Sequence, residues 1–259
     1  MDVLIINLAR STGRMEFQRG QMAALGLECR RIEAVTADAA AQARPETYWE
    51  RWERPMRPAE RACLLSHVAA WERIAKTGRP ALILEDDAVL SRRVPALLLA
   101  LEAMPGTEHV TLEVRKRRKL LGRAARPVIP GIVLRRLYQD RSGAAAYVLS
   151  PSGAAKLLAR ARRGGALADA LICRSYELES WQVEPACAVQ LDRCEAYGIA
   201  APIATASTID GNGTAARSTG AGYRLRRILA QLRMGWRQVS RALVAERREV
   251  ALDPSDFGA

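Results

Sequence analysis

Residues 81–87 read Ala-Leu-Ile-Leu-Glu-Asp-Asp, four apolar residues followed directly by three acids. The apolar run predicts a buried strand that ends in a dense patch of negative charge. Neighbouring carboxylates repel one another and lose hydration when partly buried, so a cation is expected among them. Hard oxygen ligands of this kind suit Mg²⁺ or Mn²⁺, commonly shared with a substrate's phosphates. The alternative is a solvated junction between strand and loop, with acids that face water.

Strand and helix patterns alternate along the chain and predict an α/β fold. Residues 3–6 and 29–35 are strand candidates, and Pro58–Lys76 is a helix candidate with apolar residues at helical spacing, followed by Gly78. Because this helix precedes the strand 81–85, the order of elements predicts a parallel sheet with crossover helices. Open sheets of this type bind ligands at the carboxyl ends of their strands.

Two segments lack this regularity. Residues 37–57 are rich in Pro, Arg and Trp, and we expect a long loop or lid there. Its Trp49 and Trp52 would either stack on a ligand or anchor the loop. Residues 115–126 carry seven basic residues and no acid, and we expect a mobile loop.

The net charge of +12 is concentrated in two segments. One is residues 115–126; the other is residues 223–248, which carry eight arginines and one acid. The rest of the chain is close to neutral, so the charge favours a localised contact with an anionic surface. We therefore divide the chain into a domain over 1–210 and a linker with a basic tail over 211–259.

Residues 223–248 predict an amphipathic helix. On a helical wheel the apolar residues fall within about a 100° arc, and most arginines lie opposite. A basic helix with Trp236 on its apolar face is typical of binding to an anionic membrane surface. The alternative is a terminal helix packed on the domain with its arginines in solvent.

Cysteine and histidine usage favours a reducing compartment. The chain has five cysteines without a CxxC pair and two histidines, so a disulfide framework or zinc ribbon is not expected. The first residues contain Asp2 and a short apolar run, which is unlike a secretory signal. No apolar stretch reaches the length of a membrane span. We expect a cytoplasmic protein, peripheral on the inner face of the cytoplasmic membrane.

Several different short motifs follow one another along residues 6–209, and their order and spacing are informative. They are Ile6-Asn7-Leu8 with Arg14, Gly26-Leu27, Ala34-Val35, Glu60 with Cys63, Leu65-Ser66-His67 with Trp71, residues 82–87, Ala146-Tyr147-Val148-Leu149-Ser150 with Gly153-Ala154 and Lys156-Leu157-Leu158, Asp169, Gln190, and Ser207-Thr208-Ile209. The ordered set resembles glycosyltransferase family 25, which includes bacterial lipooligosaccharide galactosyltransferases. The chain departs from the family pattern at Ala59 to Cys63, where Gly-Glu-Ile-Gly-Cys is usual, and at Gly143-Ala144, where Gly-Thr often stands.

The resemblance implies a GT-A-like fold, in which a Rossmann-type sheet binds a nucleotide sugar. It implies a metal-dependent inverting transferase that moves a hexose, in particular galactose from UDP-galactose, to a lipopolysaccharide or related glycan. Mn²⁺ or Mg²⁺ would bind at Glu85-Asp86-Asp87 and stabilise the charge of the departing nucleoside diphosphate. Asp87 would be a direct ligand, and Glu85 or Asp86 would complete the site.

Inversion also requires a base for the acceptor hydroxyl. Asp169 is the first candidate because the family places an acid there, although it could be a further metal ligand. Asp140 and His67 are the other candidates. His67 could instead be hydrogen-bonded within the fold.

The loop after the first strand carries the donor-binding candidates. Asn7 could contact the uracil or ribose, and Arg10 or Arg14 could pair with the pyrophosphate. The alternative is a capping loop with solvated arginines.

A rival hypothesis uses the two basic segments as electrostatic arms. The protein would then bind nucleic acid or another polyanion on a degenerate transferase fold. Few aromatic residues accompany the basic ones, so base-stacking platforms are scarce.

Overall fold

The computed structural model describes residues 1–104, 106–141, 143–174, 176–204 and 221–258, and it confirms the predicted α/β class. Its helices are α1 (Thr12–Ala24), α2 (Ala37–Ala43), α3 (Glu46–Trp49), α4 (Pro58–Thr77), α5 (Val94–Glu102), α6 (Pro151–Arg163), α7 (Ala168–Ile172) and α8 (Ala221–Ser240). Its strands are β1 (Asp2–Asn7), β2 (Cys29–Glu33), β3 (Ala81–Glu85), β4 (Ala88–Leu90), β5 (His109–Thr111), β6 (Lys119–Ile129), β7 (Ile132–Gln139), β8 (Ala146–Leu149), β9 (Ser180–Glu184), β10 (Ala188–Gln190) and β11 (Ala245–Arg248).

Within the described ranges, nine strands form one mixed sheet in the order β11-β6-β7-β9-β5-β8-β3-β1-β2. The predicted parallel arrangement holds where β1 pairs with β2 and β3. Strand β8 is antiparallel to both β3 and β5, and the strands beyond β9 are joined by antiparallel pairs. Strands β4 and β10 form a separate antiparallel pair.

Helices cover both faces of the main sheet. Met15 of α1 and Leu97 of α5 pack with Val3 and Leu82 on one face. On the other face, α4, α6 and α7 pack against Leu4 and neighbouring strand residues. Burial on both faces explains why the first and third strands are apolar without alternation.

Residues 37–57 contain the short helices α2 and α3, where the sequence predicted an irregular loop or lid. Trp49 and Trp52 are buried in the core between this segment and helices α4, α6 and α7. Their position agrees with the anchoring role and not with stacking on a sugar. Tertiary packing of the two indoles fixes a segment whose own sequence shows no periodicity.

The predicted mobile loop over 115–126 is wrong from Lys119 onward, because β6 begins at that residue. The Lys119 side chain is buried, and its ammonium lies 2.7 Å from Asp140 Oδ2 and 2.6 Å from Gln182 Oε1. A buried lysine is tolerated when it is paired in this way. The sequence shows that Lys119 belongs to a basic run. It does not show the buried partners of Lys119, which are Gln182 on β9 and Asp140 directly after β7.

The carboxyl-terminal segment differs from the prediction in length. Helix α8 ends at Ser240, and residues 245–248 form β11, which pairs with β6 in the main sheet. The predicted boundary at 210, the first residues (211–220) of the predicted linker and tail, and the motif Ser207-Thr208-Ile209 lie outside the described residues.

In the described part of the chain, no helix is long and apolar enough to cross a bilayer. The five cysteines are free thiols.

Candidate active site

A cleft of about 450 Å³ opens where β1 and β3 end. The loop after β1, the first turns of α4, the start of α7 and the segment after β10 surround it. Most of the predicted site residues line this cleft, namely Arg10, Arg14, His67, Glu85, Asp86, Asp87 and Asp169. The carboxyl ends of neighbouring parallel strands thus form the site, as the topology predicts.

The three consecutive acids have different partners. Asp86 accepts hydrogen bonds from Asn7 Nδ2 at 2.8 Å and from Arg14 at 2.9 Å. Glu85 Oε1 lies 3.1 Å from His67 Nε2, and its Oε2 accepts from Gln190 Nε2 at 3.4 Å. Asp87 Oδ1 is buried and has no hydrogen-bond partner among the described residues. Asp86 is therefore fixed by the protein, whereas this oxygen of Asp87 lacks a donor.

Burial raises the pKa of Asp87 to about 8, and the charge of Glu85 contributes to the rise. An ionised carboxylate in this place is costly unless a cation accompanies it. The orphaned Asp87 oxygen beside Glu85 fits a divalent metal with oxygen ligands, such as Mg²⁺ or Mn²⁺. Asp86 fits this role less well because both of its oxygens already accept hydrogen bonds.

A second donor set includes softer atoms. Cys63, His67 and Glu85 offer ligand atoms that lie within 4.8 Å of one another. Thiolate and imidazole favour metals such as Zn²⁺ over Mg²⁺. Burial, followed by the charge of Glu85, raises the pKa of Cys63 well above that of an ordinary thiol. The thiol is therefore neutral when no metal binds it, and the carboxylate pair fits a hard cation better.

His67 is buried, and both ring nitrogens are engaged. Trp71 Nε1 donates to the Tyr147 hydroxyl at 2.8 Å, and that hydroxyl lies 2.9 Å from His67 Nδ1. With Tyr147 accepting from the indole, each group has a partner when the Tyr147 hydroxyl donates to Nδ1 and Nε2–H donates to Glu85. His67 therefore holds Glu85 in place.

The two acids considered as bases lie in different environments. Asp169 lines the cleft at the start of α7, and burial raises its pKa. Asp140 is buried in its pair with Lys119 and does not line the cleft. Geometry leaves Asp169 as the accessible carboxylate of the two.

The sequence analysis proposed Asn7 as a donor-binding residue, but its side chain does not line the cleft. Its side chain is buried, donates to Asp86 and to the Ser11 carbonyl oxygen, and accepts from Arg31. Asn7 therefore joins the loop after β1 to the acidic run. Arg10 and Arg14 both line the cleft, and Arg14 also forms an ion pair with Asp86.

Arg115 is a cleft residue that sequence reasoning missed. Its Nε lies 3.1 Å from Oε1 of the buried Glu113, and its guanidinium also donates to Gln190 Oε1. Burial raises the pKa of Glu113 to about 7, although the charge of Arg115 opposes this effect. The sequence placed Arg115 within a basic run. Its one distinguishing signal is its position two residues after an acid at the end of a strand region.

Comparison with known proteins gives one family match. Residues 1–172 match the family model described as "Glycosyltransferase family 25 (LPS biosynthesis protein)". No curated protein matches the chain. Among solved structures, the chain is similar to the mannose-1-phosphate geranyltransferase from Thermus thermophilus, with 14% identity and a TM-score of 0.37 over 70% of this chain and 72% of that one. At that TM-score the likeness carries no weight for function.

Proposed function

Because the chain belongs to glycosyltransferase family 25, a family of lipopolysaccharide biosynthesis, we propose that it is a metal-dependent, inverting hexosyltransferase. The donor we propose is a UDP-sugar, in particular UDP-galactose, and the acceptor is a lipopolysaccharide or related glycan. The sheet would serve as a GT-A-like nucleotide-sugar-binding fold. The alternative of a degenerate fold that binds polyanions is weaker, because Lys119 is buried and Arg115 faces the cleft.

The observation that carries the proposal is the buried oxygen of Asp87, which lies in an open cleft and has no hydrogen-bond partner in the part of the chain that the structure describes. Asp87 and Glu85 would hold Mn²⁺ or Mg²⁺, which supplies Lewis-acid stabilisation to a departing diphosphate. His67 would keep Glu85 oriented toward that site through its Nε2–H.

The arginines of the cleft fit an anionic leaving group. Arg10, Arg14 and Arg115 line the same cleft as the acids. Guanidinium groups bind phosphate oxygens through charge-assisted hydrogen bonds. Glu113 and Gln190 hold the Arg115 guanidinium in a fixed orientation, which favours Arg115 for binding a phosphate group.

Asp169 is the base that we propose for the acceptor hydroxyl. Its raised pKa increases its affinity for a proton, and its place on the cleft gives it access to substrate. It would take the proton as the acceptor oxygen attacks the anomeric carbon.

We place the enzyme on the inner, anionic face of the cytoplasmic membrane. A lipopolysaccharide acceptor is built on a lipid, and residues 223–248 combine eight arginines with an apolar stripe.

The test of the reaction is nucleoside-diphosphate release from a panel of UDP- and GDP-sugars with Mn²⁺ or with EDTA. We expect release from one donor, in particular UDP-galactose, that EDTA abolishes. Asp87→Asn should lower the rate by at least about 100-fold if metal-bound charge stabilisation is lost.

The matched control is Glu72→Gln, which changes an exposed carboxylate on α4 outside the cleft. It should retain the wild-type rate and metal dependence. Release that persists in EDTA and in Asp87→Asn would contradict the metal-dependent mechanism.

A further inference from the structure

Helix α8 presents its apolar residues to solvent. Leu232 is 65% exposed, Trp236 is 73% exposed and Leu243, just after the helix, is 93% exposed. Further exposed apolar side chains follow the same face at helical spacing, namely Leu225, Ile228, Leu229 and Val239. We call these seven residues the outer stripe. A stripe of this size is unusual on a surface that meets only water.

The opposite face of α8 contacts the domain through polar side chains. Arg226 donates to the carbonyl oxygens of Trp52 at 3.0 Å and of Glu50 at 2.8 Å. Arg237 donates to the Tyr138 carbonyl oxygen at 2.7 Å, and Gln238 donates to Gln139 at 3.1 Å. The orientation is thus the reverse of a helix that packs its apolar face on the protein.

We propose that the outer stripe of α8 inserts into the interfacial region of an anionic lipid bilayer. The helix would lie in the membrane plane, between the domain on one side and the acyl chains on the other. The inference deepens the membrane location proposed above and rests on it. The sequence predicted that this basic amphipathic helix binds an anionic membrane surface. The structure adds that Arg226 and Arg237 of the polar face bind the domain, which leaves the apolar face toward solvent.

Two features favour lipid over a second protein copy. Trp236 lies within the stripe, and tryptophan is well suited to the boundary between headgroups and acyl chains. Arg224 is exposed and flanks the stripe, where it would meet anionic headgroups. The surface that contacts the outer stripe is therefore expected to have an apolar interior and negatively charged groups at its boundary, as an anionic bilayer does.

The position of α8 also relates the bilayer to the cleft. Arg226 binds the segment at Glu50 and Trp52, and this segment continues to Glu60 on the cleft wall. Arg54 joins the same segment to Glu60 through two hydrogen bonds of 2.8 Å. Insertion of α8 would thus keep this wall of the cleft near the lipid surface.

Apolar insertion and electrostatic adsorption differ in their dependence on salt. Contacts between surface charges weaken strongly between about 0.1 M and 1 M salt. Burial of apolar side chains does not weaken in this way. Binding through the outer stripe should therefore persist at high salt.

The experiment measures sedimentation of the full-length protein with phosphatidylcholine–phosphatidylglycerol vesicles. The two variants compared are Leu232→Glu, on the stripe, and Gln231→Glu, the adjacent exposed residue outside it. Both add the same charge to the same helix. We expect Gln231→Glu to bind like the wild type and Leu232→Glu to bind roughly tenfold or more weakly.

A second readout locates the tryptophan. Brominated lipid should quench part of the fluorescence of the wild type, and Trp236→Phe should lose that part. Equal vesicle binding of Leu232→Glu and Gln231→Glu would overturn the proposal, as would complete release of the wild type at high salt. Concentration-dependent dimers without lipid that Leu232→Glu abolishes would assign the stripe to a second copy instead.

Donor release in solution, measured on the same variants, separates this inference from the proposed reaction. It should be equal in all of them, because no stripe residue lines the cleft. Vesicle binding without release from any donor would contradict the reaction alone.

Discussion

Glu85, Asp86 and Asp87 are neighbours in sequence, but each has different contacts in the folded protein. Asp86 binds Asn7 and Arg14 and thereby fixes the loop after β1. Glu85 is oriented by His67, and Asp87 has a buried oxygen without a partner among the described residues. An unpaired buried oxygen is costly, so it marks the residue where a ligand is expected. At the residue scale, this unsatisfied oxygen marks the position where we propose that a cation binds.

His109 is another buried polar side chain without a hydrogen-bond partner among the described residues, and it lies away from the cleft. It is fully buried on β5, and neither ring nitrogen has a hydrogen-bond partner among the described residues. Burial lowers its pKa to about 3, and the charges of Lys119 and Arg136 add to the effect. The unfolded chain has an ordinary histidine pKa near about 6.5. The unfolded state therefore binds the additional proton as the pH falls from about 6.5 to 3, and the folded state loses stability in that range.

We predict that His109→Leu reduces this acid sensitivity. Between pH 7 and pH 5, the free energy of unfolding of the wild type should fall by about 2 kcal/mol more than that of the variant. Urea unfolding at the two pH values measures the difference. Thr111→Val, an equally buried and non-titrating change on the same strand, should keep the wild-type dependence. Identical acid sensitivity in His109→Leu would refute the prediction.

Helix α4 illustrates an element that local sequence defines well. Glu60 accepts a hydrogen bond from the Arg57 backbone at its start, and Gly78 ends it in the left-handed conformation with φ of 66°. Both signals are short-range, so the sequence locates this helix correctly. Strand β6 is the opposite case, because its formation depends on pairing with β7 and β11.

Helix α6 contains a position where packing reverses a local preference. A Cβ on Gly153 would lie 2.6 Å from the Glu108 carbonyl oxygen and 2.9 Å from a Leu149 methyl group. Alanine normally stabilises a helix relative to glycine by about 0.5–1 kcal/mol. We predict that Gly153→Ala instead lowers the free energy of unfolding by roughly 1–3 kcal/mol, because backbone must move.

The comparison for Gly153 is Gly20→Ala in α1, where a Cβ would meet nothing within 4 Å. This variant should be slightly more stable than the wild type. Chemical denaturation of both variants measures the difference in sign. A stabilised Gly153→Ala would show that the helix can move away from β8 at little cost.

At the scale of the whole molecule, the end of the chain belongs to the folded body. Strand β11 pairs with β6, Val250 and Phe257 are buried, and Asp256 pairs with Arg92 and Arg93. One side of β6 is thus covered by β11, which protects it from pairing with other chains.

We predict that truncation after Val244 lowers the melting temperature by on the order of 10 °C, because it uncovers β6 and empties the Phe257 site. Thermal unfolding followed by circular dichroism measures the change. Leu243→Ser, which alters the exposed residue just before the cut, should leave the melting temperature unchanged. A truncated protein as stable as the full chain would show that β11 contributes nothing to the body.

The sequence by itself determined the elements whose signals are local. These include the α/β class, strand β3 with its acids and helix α4. The ordered motifs also indicated the family, and most of the predicted site residues lie together in one cleft. Short-range chemistry is enough in these cases, because apolar runs, capping residues and spacing act within a few residues.

Tertiary structure alone decided which carboxylate oxygen lacks a partner among the described residues, that Asn7 binds Asp86, and that Arg115 lines the cleft. It also decided that Lys119 is buried and that α8 turns polar side chains toward the domain. Each of these facts depends on a contact between residues far apart in the chain. The free energy of a charge is set by its surroundings, and a linear pattern does not show what those surroundings are.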